Sequence, residues 1–144
     1  SEARRRGKPD WERLLTRSRE YVKRQLELFK GKQVALDNDG VLAAFDGPAR
    51  AIRCARAITD SAARLGVQVK TGLHTGECDV VGEVYSGFAV ELAKKIAADS
   101  GEGNIIVSRT VKDLVAGSGL NFAEIGVRSY DGVDGEWRLF TVER

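Results

Sequence analysis

Two aspartates, Asp37 and Asp39, stand at the tip of the stretch KQVALDNDGVLAAFDGPARAI, which runs from Lys32 to Ile52. Carboxylates are the ligands that hard divalent cations take, and such a cation in turn holds phosphate oxygens. The tip is thus either a cation and phosphate site or a plain turn. Asp37 and Asp39 would share a strand face only if the turn did not fall between them. His74, the single histidine, lies in GLHTGE. No serine or cysteine nucleophile motif accompanies it, so it reads as a satisfied structural histidine rather than a catalytic base. Cys54 and Cys78 lack the C-x-x-C spacing of a zinc or redox site. GEVYSG is too loose for a dinucleotide fingerprint, which needs G-x-G-x-x-G after a strand.

The elements that would carry these residues follow from periodicity. Asp10 to Phe29 reads as a helix, because Trp11, Leu14, Leu15, Ser18, Val22, Leu26 and Phe29 recur at three-to-four spacing. Pro9 and Asp10 suit its first turn, and Gly31 suits its end. Gln33 to Leu36 and Val41 to Phe45 read as short strands. The Asn-Asp-Gly between them is a hairpin signal, since Asn and Gly tolerate positive φ. DGPARAIRCARAITDSAARLG is a second amphipathic helix, with Pro48 at its start and Gly66 at its end. Ile52, Ala55, Ile58, Ala62 and Leu65 line one side of it. VQVKTGLHTGE reads as a strand and CDVVGEVYSG as a short strand and loop. FAVELAKKIAADSG is a third helix, apolar at Ala89, Leu92, Ala93 and Ile96. NIIVS reads as a buried strand, and RTVKDLVAG as a short helix capped by Ser108. Strands over Asn121 to Ile125 and Glu136 to Val142 finish the chain, and Trp11 and Trp137 read as core residues. This mixed order predicts an α+β domain, with helices packed over a largely antiparallel sheet.

With 144 residues, 42% hydrophobic and 31% charged, one ordinary globular domain is expected. A net charge of +2 gives no argument for nucleic acid. No apolar run approaches the roughly 18 residues of a membrane span, and no signal peptide pattern occurs. A cytoplasmic protein with reduced thiols is the expectation. The run ARRRGK makes residues 1–9 a flexible basic N-terminus, with a polyanion contact as the lesser reading. Residues 10–144 then form the domain.

Several pieces together resemble the class III adenylate/guanylate cyclase catalytic domain. They are NDGVLAAFDGPARAIRCARAI, VQVKTGLHTGE, VVGEVYSGFAVELAKKIAA, NIIVSRTVKDLVAGSG and the ending GVDGEWRLFTV. The resemblance runs from about Trp11 to Val142, in specific order and spacing. It implies a ferredoxin-like α+β core and a head-to-tail homodimer with its active sites between the subunits. The family's reaction is attack of the ribose 3′-hydroxyl of ATP on the α-phosphate, giving cyclic AMP and pyrophosphate. Two divalent metals, Mg2+ or Mn2+, held by two aspartates, help to deprotonate that hydroxyl and neutralise the triphosphate. The partner subunit supplies base-reading residues, an Asn and an Arg.

Carried onto this sequence, the resemblance places Asp39 at the second metal aspartate, in a tip that reads NDG where the family has G-D-G. The first metal aspartate belongs to a motif like F-T-D-I on a strand before the first helix. SEARRRGKPDWERLL resembles the end of the loop after that strand, so the first ligand and the central first strand are expected to be missing from this sequence. Ala35 stands at the base-reading lysine, four residues before Asp39, and cannot hydrogen-bond a purine. GFAVELAKK matches the pattern G-D-x-V-N-x-A-x-R. It puts Phe88 at the base-reading Asp, Glu91 at the Asn and Lys95 at the Arg. Phe88 can stack on a base but cannot read its exocyclic amine. Glu91 would repel a triphosphate. Lys95 keeps a charge but loses the bidentate fork that a developing phosphorane charge requires. Lys94 reads as solvated surface.

Both halves of the composite site are altered, so neither a homodimer nor a heterodimer with an intact cyclase would hold an unaltered site. The first expectation is a catalytically impaired cyclase homology domain that acts in signalling by dimerising or binding a partner. The second is a low-activity adenylate cyclase completed by an N-terminal segment outside this sequence. The third is a module that keeps a nucleotide such as ATP in the cleft without turnover, contacted by Lys95 and Lys70. A sheet without its central strand exposes two edges, which invites strand exchange. A homodimer, strand-swapped, or a heterodimer with another cyclase domain is therefore expected.

Overall fold

Four helices and eight strands follow one another along residues 8–37 and 40–143, the residues that the computed structural model describes. The order is α1 (Lys8–Leu28), β1 (Lys32–Asp37), β2 (Gly40–Ala44), α2 (Pro48–Arg64), β3 (Thr71–Leu73) and β4 (Asp79–Val81). Then come β5 (Val84–Ser86), α3 (Phe88–Asp99), β6 (Ile105–Ser108), α4 (Arg109–Leu114), β7 (Phe122–Tyr130) and β8 (Val133–Val142). Helix α1 begins two residues inside the segment read as a flexible terminus. The rest of that segment, residues 1–7, lies outside the described residues.

Strand β6 explains the layering. Its β-branched run Ile105-Ile106-Val107 is buried at every position, as a strand covered on both faces must be. Alternate side chains go to opposite faces. Ile105 and Val107 join Ile52 and Ala55 of α2, Val111 of α4 and Phe140 and Val142 of β8 in one apolar cluster. Ile106 joins Leu92 and Ile96 of α3, with Val133 and Leu139, in a second cluster. The sheet is thus sandwiched, with α2 and α4 on one face and α3 on the other. Its order is β3-β6-β8-β7. Strands β3 and β6 run parallel, and the other two pairings are antiparallel. The expected α+β architecture is therefore present.

The hairpin β1–β2 forms a separate sheet with a bulge between Gln33 and Ala35. Among the described residues, β1 and β3 each pair along one side only. The stretch read as a short strand and loop is a second hairpin, β4–β5, because Gly82 at φ 62° turns the chain back after Val81. The last two strands are longer than their apolar segments suggest. They continue outward to a tight pairing of Tyr130 with Val133, with register shifts at Gly126 and before Tyr130.

Helix α1 closes differently from expectation. The left-handed residue is Lys30, at φ 60°, not Gly31. The Gly31 N–H donates to the Leu26 carbonyl at 2.7 Å and the Lys30 N–H to that of Glu27 at 3.2 Å, a Schellman arrangement. Gly31 is needed for space instead, since a Cβ there would lie 2.5 Å from Cζ of Phe45. Gly72 on β3 is a second close approach. A Cβ there would lie 2.8 Å from Cα of Ala97 and 2.9 Å from the Ala93 carbonyl, both on α3. Ser18 Oγ and Thr59 Oγ1 are buried without a hydrogen-bond partner among the described residues. No described helix is long and apolar enough to cross a membrane.

Candidate functional site

Helix α3 is preceded by its N-cap Gly87, whose φ of 112° is a conformation that side chains disfavour. From there Ala89, Val90, Leu92 and Ile96 turn into the core. Helical periodicity puts Phe88, Glu91 and Lys95 on the opposite side at i, i+3 and i+7, and all three are exposed. The structure thus brings three of the five sequence-predicted positions onto one open face. Glu91 lies in the first turn, where the helix dipole favours a carboxylate. Neither Glu91 nor Lys95 forms an ion pair among the described residues. Lys94 and Lys70 are exposed as well.

An aromatic bracket fixes the start of this face. The Phe88 ring lies 5.5 Å from that of Trp137, tilted by 46°. On its other contact, Trp137 meets His74 edge-on, also at 5.5 Å. Such pairs contribute about 0.5–1.5 kcal/mol each beyond their burial. The Trp137 indole N–H donates to the Asp134 carbonyl at 3.2 Å. His74 Nδ1 lies 2.8 Å from Ser108 Oγ, which also accepts the Val111 N–H at the start of α4. Burial holds the His74 imidazole below its usual pKa. His74 is therefore a structural histidine, and Ser108 is the expected cap. Trp137, read as core, is instead half-buried beside Phe88. It packs on the edge of the cluster of Leu92, Ile96 and Leu139.

At the far end of α3, Asp99 accepts from the Tyr130 hydroxyl at 3.0 Å and pairs with Arg128 at 3.5 Å. Burial, with the Asp99 carboxylate second, pushes the Tyr130 phenol up to about 12. The helix is thus held at both ends.

Ala35 is exposed on β1, opposite Leu42. Strand β1 packs on α1 and β5, while α3 packs on β3, β5, β6 and β8. Within one chain, Ala35 and the α3 face therefore lie on separate elements that both meet β5. Asp39 lies outside the described residues. Among the described residues no group of three or more His, Cys, Asp or Glu side chains is placed to hold a metal ion. The β4–β5 hairpin presents Val81 at 76% and Val84 at 67% exposure, with Val80, Leu36, Val41 and Phe88 also uncovered. Lys32 Nζ lies 5.9 Å from the Tyr85 ring centre, joining β1 to β5.

No family model matches the sequence. No curated protein matches it either. Solved structures do. An adenylate/guanylate cyclase/hydrolase from Silicibacter pomeroyi is 23% identical, with a TM-score of 0.84 over 99% of this chain and 89% of that one. The catalytic core of a rhodopsin-guanylyl cyclase with converted specificity, in complex with ATPαS, is 16% identical, with a TM-score of 0.85 over 97% and 86%. An unconventional dimeric guanylyl cyclase domain of the RhoGC fusion protein from the aquatic fungus Blastocladiella emersonii is 16% identical, with a TM-score of 0.80 over 97% and 86%. The layered sheet and these superpositions agree that the chain has the fold of the class III adenylate/guanylate cyclase domains.

Proposed function

We propose that this chain is a cyclase homology domain with impaired nucleotidyl cyclase chemistry, acting in signalling as a homodimer or as the partner of another cyclase domain. The observation that carries this reading is the exposed α3 face. Phe88, Glu91 and Lys95 occupy one open surface where the family pattern has Asp, Asn and Arg. An intact face would offer a base acceptor, a neutral amide and a bidentate cation to one nucleotide. This one offers a ring, a carboxylate and a point charge. Glu91 would repel a triphosphate, and Ala35 would leave the purine edge unread. The uncovered valines of the β4–β5 hairpin, which leads into α3, support an association surface. The one-sided pairing of β1 and β3 supports strand exchange within that assembly. The free thiols Cys54 and Cys78 fit a cytoplasmic setting.

The test is a cyclase assay on the purified chain with ATP, and separately GTP, in Mn2+, reading cyclic nucleotides by mass spectrometry beside Asp39→Ala. Mg2+ or Mn2+ bound by Asp39 belongs to the rival reading of a low-activity cyclase. Product that disappears in Asp39→Ala would establish that rival. Absence of product supports the proposal. Light scattering at micromolar concentration should then give a dimer that Val81→Asp weakens, and a monomeric mass would remove the homodimer.

A further inference from the structure

A cleft lies away from the α3 face, between α1 and α2. Its volume is about 280 Å³, and Arg17, Glu20, Tyr21 and Arg24 of α1 line it with Ser61 and Arg64 of α2 and the following Leu65. Arg17, Tyr21 and Arg24 fall at i, i+4 and i+7, so one stripe of α1 presents all three. Arg64 comes from the last turn of α2. Three guanidinium groups and one carboxylate line one small space, so its own residues leave a positive excess.

Hydrogen bonds tie the α2 side of the cleft to α1. Arg64 Nη2 donates to Ser61 Oγ at 3.3 Å, and its Nε to the Asp60 carbonyl at 3.4 Å. Ser61 Oγ in turn lies 2.6 Å from the Tyr21 hydroxyl oxygen. Either hydroxyl can donate in this pair, which uses one of its two protons and has the other available to a ligand. Neither Arg17 nor Arg24 forms a hydrogen bond or ion pair among the described residues. Donors outnumber acceptors, as in a site that takes an oxyanion through forked, charge-assisted hydrogen bonds. The volume falls just below the roughly 300 Å³ at which pockets for drug-sized ligands begin, which favours a small anion over a whole nucleotide.

We propose that the α1–α2 cleft binds a compact phosphoanion, of the orthophosphate or pyrophosphate class, through Arg17, Arg24, Arg64 and the Tyr21 hydroxyl. The site shares no residue with the α3 face or the β1–β2 tip, so it stands independently of the cyclase reading.

The experiment titrates the chain with sodium pyrophosphate, and separately orthophosphate, by calorimetry in EDTA, against sodium chloride at matched ionic strength. Hydrogen exchange then maps protection. Saturable binding is expected, with protection over residues 17–24 and 61–65. The double variant Arg17→Gln/Arg24→Gln should weaken it at least about tenfold, the loss expected for charge-assisted bonds. Tyr21→Phe should weaken it a few-fold, and Arg138→Gln should not change it. If melting shows the double variant to be unfolded, Arg24→Gln alone gives the same reading. A chloride-like response, unchanged binding in these arginine variants, or protection over residues 88–99 instead would overturn the proposal.

Discussion

Replacing Gly72 by alanine tests how tightly α3 is seated. The new methyl would lie 2.8 Å from Cα of Ala97 and 2.9 Å from the Ala93 carbonyl, with the Ala97 nitrogen nearer still. These are backbone atoms of a helix anchored at both ends, so no side-chain rotation relieves the overlap. Overpacking of this kind costs about 1–3 kcal/mol, and a backbone obstacle puts it near the upper end. The alanine also stiffens the unfolded chain, which returns about 0.4–1 kcal/mol. The net expectation is a loss of about 2 kcal/mol. For a domain near this length that lowers Tm by roughly 4–8 °C. Urea unfolding followed by circular dichroism would measure it, with Gly47→Ala as the control. Gly47 has an ordinary extended backbone, and a Cβ there would meet nothing within 4 Å. Gly47 is the N-cap of α2, where alanine is the poorer residue, so that variant should lose no more than about 1 kcal/mol. Equal stability of the two variants would refute the close packing of α3 on β3.

Other expectations rest on single groups. Thr59 is 2% exposed and its hydroxyl lacks a partner among the described residues, so Thr59→Val should stabilise the fold by about 1 kcal/mol; a destabilised variant in the same urea assay would show that the hydroxyl is satisfied. Burial pushes the Cys54 thiol up to about 11, while Cys78 is exposed. Ellman's reagent at pH 8 should therefore titrate one thiol in the native protein and two in denaturant, and two fast thiols before unfolding would contradict the burial. The lowered His74 pKa keeps the folded imidazole neutral where the unfolded one, near 6.5, begins to protonate. Its contribution to stability is present above about pH 6.5 and is lost as pH falls from there through the folded value. Melting curves from pH 8 to 5 should thus fall more steeply for the parent than for His74→Gln, and parallel curves would exclude the effect.

The elements most legible in the sequence were those buried on two sides or amphipathic over several turns. Strand β6 and helices α2 and α3 declare themselves through Ile105-Ile106-Val107 and through apolar spacing from Ile52 and Leu92. The β4–β5 hairpin does not, because its valines face outward and carry no alternation against a core. The outer halves of β7 and β8 were hidden for a similar reason, since backbone pairing rather than burial holds them. Lys30 takes the left-handed position although a glycine follows it, and Gly31 is kept small by Phe45, which is distant in sequence. At the site, the shared face of Phe88, Glu91 and Lys95 could be read from helical spacing alone. The contact of Phe88 with Trp137 could not, because it depends on how α3 lies across the sheet.

That contact gives the molecule a built-in optical probe. Trp137 is held between the ring of Phe88 and the imidazole of His74, and indole emission responds to the polarity and charge of its immediate neighbours. A base stacked on Phe88, a displaced α3 or a protonated His74 would each alter that environment without any label. With Trp11 replaced by phenylalanine, the one remaining tryptophan would report by its emission whether anything occupies the α3 face.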